Sequence, residues 1–202
     1  MIGIPMRRCP IAVAACVAVL AGCGRPFFVS EADLRGLLGR EYLYAGTGTG
    51  IYAFEVDGET GAITGIPGTT LGAGCGGRLT AAPRGSALYS IPYSGSSVYG
   101  FRVSPEGDLS PIAGFPLGSM NNRSLALTAD GRFAYLLTSA GDLTTYRVDV
   151  DTGELTLAAS TFGIGCSPMS AVVDRSGRNL YVSRGYPAAI MHLPLDAGLP
   201  GA

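Results

Sequence analysis

The sequence holds no tryptophan and a single histidine, and all 14 of its strongly basic residues are arginine. Without lysine there is no Walker A phosphate loop and no lysine Schiff base. Charge is sparse in both signs: 14 basic against 15 acidic residues give a net charge of −1, with no basic run. Nucleic acid binding rests on clustered cations that release counterions, so it is not an expected function. Long apolar runs are missing as well. The longest near the N-terminus, residues 11–22, is too short to cross a bilayer as a permanent helix. What the chain has in quantity is glycine, 31 residues, and tyrosine, 10 residues, and both recur at fixed spacing.

The short apolar run follows Arg7 and Arg8 and ends in Leu20-Ala21-Gly22-Cys23. This tetrapeptide resembles the lipobox of bacterial lipoproteins, which implies cleavage before Cys23 and a diacylglycerol on its thiol. The expected organisation is therefore a signal peptide over 1–22, a lipidated cysteine and tether over 23–39, and a folded region over 40–202. Gly24 follows the cysteine, and the lack of an Asp there leans toward the outer membrane. The expected address is the bacterial cell envelope, with the lipid bilayer as partner through Cys23. Cys75 and Cys166 remain after cleavage and could pair in an oxidising compartment.

Four segments read alike and end in Tyr44, Tyr89, Tyr135 and Tyr181. A turn glycine precedes three of them, at Gly85, Gly131 and Gly177. The next apolar segments keep step, starting at Ile51, Val98, Leu143 and Ile190. Turn residues and a shorter strand follow at Gly61, Gly107 and Gly153. A period near 46 residues with several short strands per unit predicts an all-β fold, a β-propeller of four-stranded blades. The approximate units are 40–85, 86–131, 132–177 and 178–202, three complete and one partial. The run Gly46-Thr47-Gly48-Thr49-Gly50 then falls between the second and third strands of a blade, as a hairpin turn and not a dinucleotide loop. Its third glycine is misplaced for G-x-G-x-x-G, and Ile51 opens a strand. Residues 30–38 have the spacing of a short helix, or supply the innermost strand of the first blade.

Thr128-Ala-Asp-Gly-Arg-Phe-Ala-Tyr135 and Val173-Asp-Arg-Ser-Gly-Arg-Asn-Leu-Tyr181 resemble the repeat of the seven-bladed lactonase-like (YVTN) propellers. WD40 repeats have a similar period but carry a Trp and a Gly-His signature that this chain lacks. The resemblance covers roughly residues 40–198 and implies the fold, with hydrolysis of a sugar lactone as the associated activity. At this period seven blades need about 320 residues. The present repeats leave three outcomes open: a four-bladed ring, half of a seven-bladed ring completed by another chain as a homodimer, or a truncated gene product.

Blade topology sorts the loops onto two faces. One carries Gly, Ser, Thr and Asn with few charges, Asp142 and Arg184 among them. The other receives nine of the 15 acids, interleaved with Arg132, Arg175 and Arg178, as a solvated hairpin rim. Arg78 and Arg123 fall near the starts of inner strands, where they line the channel and hold an anion, or serve solubility as loop arginines. These four residues, Arg78, Arg123, Asp142 and Arg184, are the candidate ligand contacts. The lactonase resemblance implies a His, Arg and Glu set at the channel mouth, but the one histidine, His192, sits on a third strand and no catalytic residue carries over. Asp149-Val-Asp151-Thr-Gly153-Glu154 starts like a calcium loop, yet its glycine is one place early and its twelfth position is Ser160. No cofactor or metal is expected. The expectation is a lipid-anchored propeller that binds a protein or carbohydrate partner without chemistry, the alternative a lactone hydrolase.

Overall fold

The computed structural model describes residues 16–18, 41–58, 60–67, 71, 75–94, 97–118, 121–161, 164–165 and 167–201. Cys23, Cys166 and the segment 30–38 lie outside the described residues. The described elements are all β and fall into four sheets, each a blade. The first blade is β1 (Cys16–Ala18), β2 (Glu41–Gly46), β3 (Ile51–Val56) and β4 (Ile63–Gly65). The second is β5 (Gly77–Ala81), β6 (Ala87–Pro92), β7 (Ser97–Val103) and β8 (Leu109–Pro111), with β9 (Leu117–Gly118) pairing back onto the start of β7. The third is β10 (Asn122–Leu127), β11 (Phe133–Thr138), β12 (Leu143–Val148) and β13 (Leu155–Thr161). The fourth is β14 (Pro168–Val173), β15 (Asn179–Gly185), β16 (Ala188–Asp196) and the two-residue β17 (Leu199–Pro200).

The strands of blades two to four pair antiparallel in chain order. The first blade differs. Its innermost strand β1 runs parallel to β2 and comes from the apolar run expected to be a signal peptide. Cleavage before Cys23 would remove β1 and leave that sheet with three strands. The partial fourth unit does form a fourth sheet, with a minimal outer strand, so the arrangement is an arc of four blades.

Blades stack face to face, which explains why the second strands carry so many apolar residues. All six residues of β6 are buried, as are five of the six in β11, because each strand lies between two neighbouring blades. In β15 burial alternates instead, since only one face is covered. Apolar side chains fill each interface. Tyr44, Ile51, Leu79, Leu88 and Phe101 join blades one and two, while Tyr135, Leu137, Leu180 and Val182 join three and four. A repeated hydrogen bond locks each junction. The hydroxyl of Tyr44 donates to the Gly107 carbonyl at 2.8 Å, Tyr89 to Gly153 at 2.7 Å, and Tyr135 to Gly198 at 2.8 Å. Each acceptor is the left-handed glycine of the next blade's third-to-fourth-strand turn, with φ between 76° and 85°. Burial pushes the phenols of Tyr44 and Tyr89 up, and that of Tyr135 up to about 12.

Candidate functional site

Arg78 follows Gly77, which pairs with Pro92, and Arg123 follows Asn122, which pairs with Thr138. Both arginines are exposed and follow the first residue of the inner strands of adjacent blades, but in the ladder Arg78 faces Ile91, the place that Ser124 holds opposite Leu137. Those strands are tied directly, the Thr80 hydroxyl donating to the Leu125 carbonyl at 3.2 Å. The ladder also explains the aim of Arg123. The register shifts between Asn122 and Ser124, so Arg123 is the extra residue of a bulge that turns it out of the sheet. Met169 occupies the equivalent bulge of the fourth blade and is exposed.

Arg184 lies across from Pro168 at the same end of the fourth blade. Its Nε is buried and has no hydrogen-bond partner among the described residues. Its guanidinium lies where a Cβ on Gly165 would stand, and the Gly165 carbonyl lies where one on Gly141 would stand. Asp142 follows Gly141 directly, and its carboxylate faces the Thr138 hydroxyl at 3.4 Å. Thus the structure brings Asp142 and Arg184 to one rim through a stack of close backbones. Arg78 and Arg123 meet that rim at the inner-strand ends. The glycine-rich run of the opening blade serves the same packing: Gly46 abuts the Gly77 backbone, and Gly76 abuts the carbonyls of Thr47 and Gly50. These glycines hold blade to blade at backbone distance. Cys75, a free thiol, is half-buried beside them, and burial raises its pKa.

His192 is away from this rim. On β16, it pairs with Tyr181 of β15, stacks on the tyrosine ring at 5.2 Å, and its Nε2 lies 2.7 Å from Asn179 Oδ1. Among the described residues no group of three or more His, Cys, Asp or Glu is arranged to hold a metal ion. Asp149, first residue of the calcium-like stretch, instead accepts the backbone N–H groups of Asp151 at 3.0 Å and Thr152 at 2.8 Å. Those bonds, led by Thr152, lower its pKa. The stretch is a self-satisfied turn.

The opposite face holds a feature the sequence reading treated only as solvated rim. An open cleft of about 950 Å³ lies between the third and fourth blades, lined by Asp130, Arg132, Arg147, Asp149 and Arg175. Arg147, which sits 5.4 Å over the Phe133 ring, was not singled out in the sequence. Its repeat position is that of Arg102, and that recurrence was the available signal.

No protein family model matches this sequence, and no curated protein does. Solved structures do match. A candidate 6-phosphogluconolactonase from Bacteroides uniformis is 18% identical, with a TM-score of 0.65 over 76% of this chain and 47% of its own. A second, from Bacteroides fragilis, is 20% identical, with a TM-score of 0.60 over 84% of this chain and 55% of its own. The fold is that of the lactonase-like β-propellers. The periplasmic gluconolactonase of Pseudomonas aeruginosa shares it at 18% identity, with a TM-score of 0.53 over 80% of this chain and 52% of its own. This chain spans about half the length of these solved structures.

Proposed function

We propose that this lactonase-like propeller is a lipid-anchored protein of the bacterial cell envelope that binds an anionic, sugar-sized ligand at the inner-strand rim. One observation carries the reading: Arg78 and Arg123 stand exposed at the starts of adjacent inner strands. Two guanidiniums at neighbouring strand starts suit a carboxylate or phosphate, since each offers planar paired donors that cannot be deprotonated at ordinary pH. Arg184, whose Nε has no partner among the described residues, adds a third cation to that end. The lipobox-like Leu20-Ala21-Gly22-Cys23 supports the anchor.

Calorimetric titration with 6-phosphogluconate, gluconate and inorganic phosphate tests the reading. Saturable binding is expected, weakened about tenfold by Arg78→Ala or Arg123→Ala and further by both together. Equal affinity in the double variant and the unmodified chain would overturn it. A second reading, lactone hydrolysis, is favoured by the likeness to the gluconolactonase structures. Turnover of a gluconolactone that disappears in the Arg78→Ala/Arg123→Ala variant would establish that reading. Turnover that survives there but disappears in His192→Ala would move the chemistry to the fourth blade.

A further inference from the structure

The junction between blades is built from residues that recur once per repeat, and the two ends of the arc carry its two unmatched halves. The donor half is at the last blade. Tyr181 is the fourth member of the series Tyr44, Tyr89, Tyr135, and it pairs across its ladder with His192 as Tyr135 pairs with Thr145. Its predecessors are buried and hydrogen-bonded to a turn glycine of the following blade; Tyr181 is 37% exposed, and its hydroxyl has no partner among the described residues. Ile190 repeats the pattern. Its counterparts Ile51, Val98 and Leu143 are buried, and it is 75% exposed.

The acceptor half is at the first blade. Gly61 occupies the turn position of Gly107, Gly153 and Gly198 and has the same left-handed backbone, φ 71°. Side chains of the preceding blade crowd each of those three glycines, Tyr42 or Phe133 for example, whereas among the described residues nothing stands within 4 Å of the Cβ position at Gly61. Behind Gly61 the cross-strand pair Leu43–Phe54 repeats the pair Leu88–Phe101, which is buried where the first blade covers the second. Leu43 and Phe54 are only half-buried. Among the described residues, no strand of the fourth blade has more than marginal contact with one of the first.

We infer that the free face of the fourth blade docks onto the first blade of a second copy of this chain, with Tyr181 of each copy donating to the Gly61 carbonyl of the other. The contact continues the internal junctions with the same residue types in the same places. It is head-to-tail, and two copies satisfy both ends of both arcs, so the assembly closes as a two-fold dimer. Its eight blades fall within the range that propellers close. The inference does not depend on the ligand proposed above.

The test uses the full chain in detergent solution. Native mass spectrometry is expected to give twice the chain mass. With the photoreactive p-benzoyl-phenylalanine replacing Tyr181, irradiation is expected to give a covalent dimer whose cross-linked peptide contains the Gly61 turn. Tyr181→Phe is expected to weaken dimerisation about tenfold to a hundredfold, because two latch hydrogen bonds are lost per dimer. Ile190→Asp is expected to leave monomers with an unchanged β-sheet circular dichroism spectrum; should it misfold, Tyr181→Phe and the cross-link map decide alone. A monomeric mass at micromolar concentration would overturn the inference. So would a cross-link inside one chain, one to a different protein, or one elsewhere on the second copy.

Discussion

Asp174 holds its turn with four hydrogen bonds. Its Oδ2 accepts from Asn179 Nδ2 and the Ser176 hydroxyl, each at 2.8 Å, and its Oδ1 from the backbone N–H groups of Arg178 at 3.0 Å and Asn179 at 3.2 Å. These bonds, Asn179 first, hold the carboxyl at about 2. A carboxyl with a lowered folded pKa stabilises above its unfolded value, about 3.9, and loses that contribution as pH falls through the folded one. The melting temperature is therefore expected to fall between about pH 4 and pH 2, and less steeply in Asp174→Asn. The buried tyrosines act at the other extreme. Their raised pKa values stabilise below the unfolded value of about 10, so stability is expected to fall as pH rises from about 10 toward 12, in step with phenolate absorbance. In Tyr89→Phe the Gly153 carbonyl loses its donor inside the junction, and denaturant titration is expected to show about 1–3 kcal/mol lost. Tyr181→Phe, with no such bond among the described residues, is expected to leave monomer stability unchanged.

At the scale of the element, close packing of backbones decides which positions tolerate a side chain. A Cβ on Gly77 would run into the Ile91 carbonyl and Pro92, both backbone, so neither can give way by rotation. Gly77→Ala is expected to cost about 1–3 kcal/mol by denaturant titration and to loosen the pairing of β5 with β6. Alternation and spacing in the sequence placed the second and third strands well, since β2, β6, β11 and β15 each contain the repeat tyrosine. The inner-strand positions of Arg78 and Arg123 were legible for the same reason. Return pairings were not: β9 closes onto the start of β7 through just two residue pairs, which leave no periodicity to read. Likewise the parallel β1 comes from an apolar run whose composition describes an export segment as well as it does a strand.

For the whole molecule, an arc of stacked blades has two end faces whose stability differs from that of its middle. Each blade contacts only its neighbours, so the interior ones gain two interfaces and the terminal ones a single interface. In dilute solution the amides of β15 and β16 are expected to exchange about tenfold or more faster than those of β11 and β12. Mass-resolved hydrogen exchange checks this, and addition of chain to dimer-forming concentration is expected to remove the difference. The charged cleft between the third and fourth blades also belongs to this scale, because Arg132 and Arg175 stand in different blades and converge only when the blades stack.

The sequence by itself determined the repeat, the all-β blade and the places of its arginines, because hydrophobic period, turn glycines and tyrosine spacing are local properties written along the chain. It did not determine which faces of the blades are buried against a neighbour. Whether a tyrosine such as Tyr181 is buried or exposed depends on a neighbouring blade, which Tyr44, Tyr89 and Tyr135 have and Tyr181 lacks among the described residues. Burial is a relation between surfaces brought together in space, so only the tertiary structure could tell the latched copies from the open one.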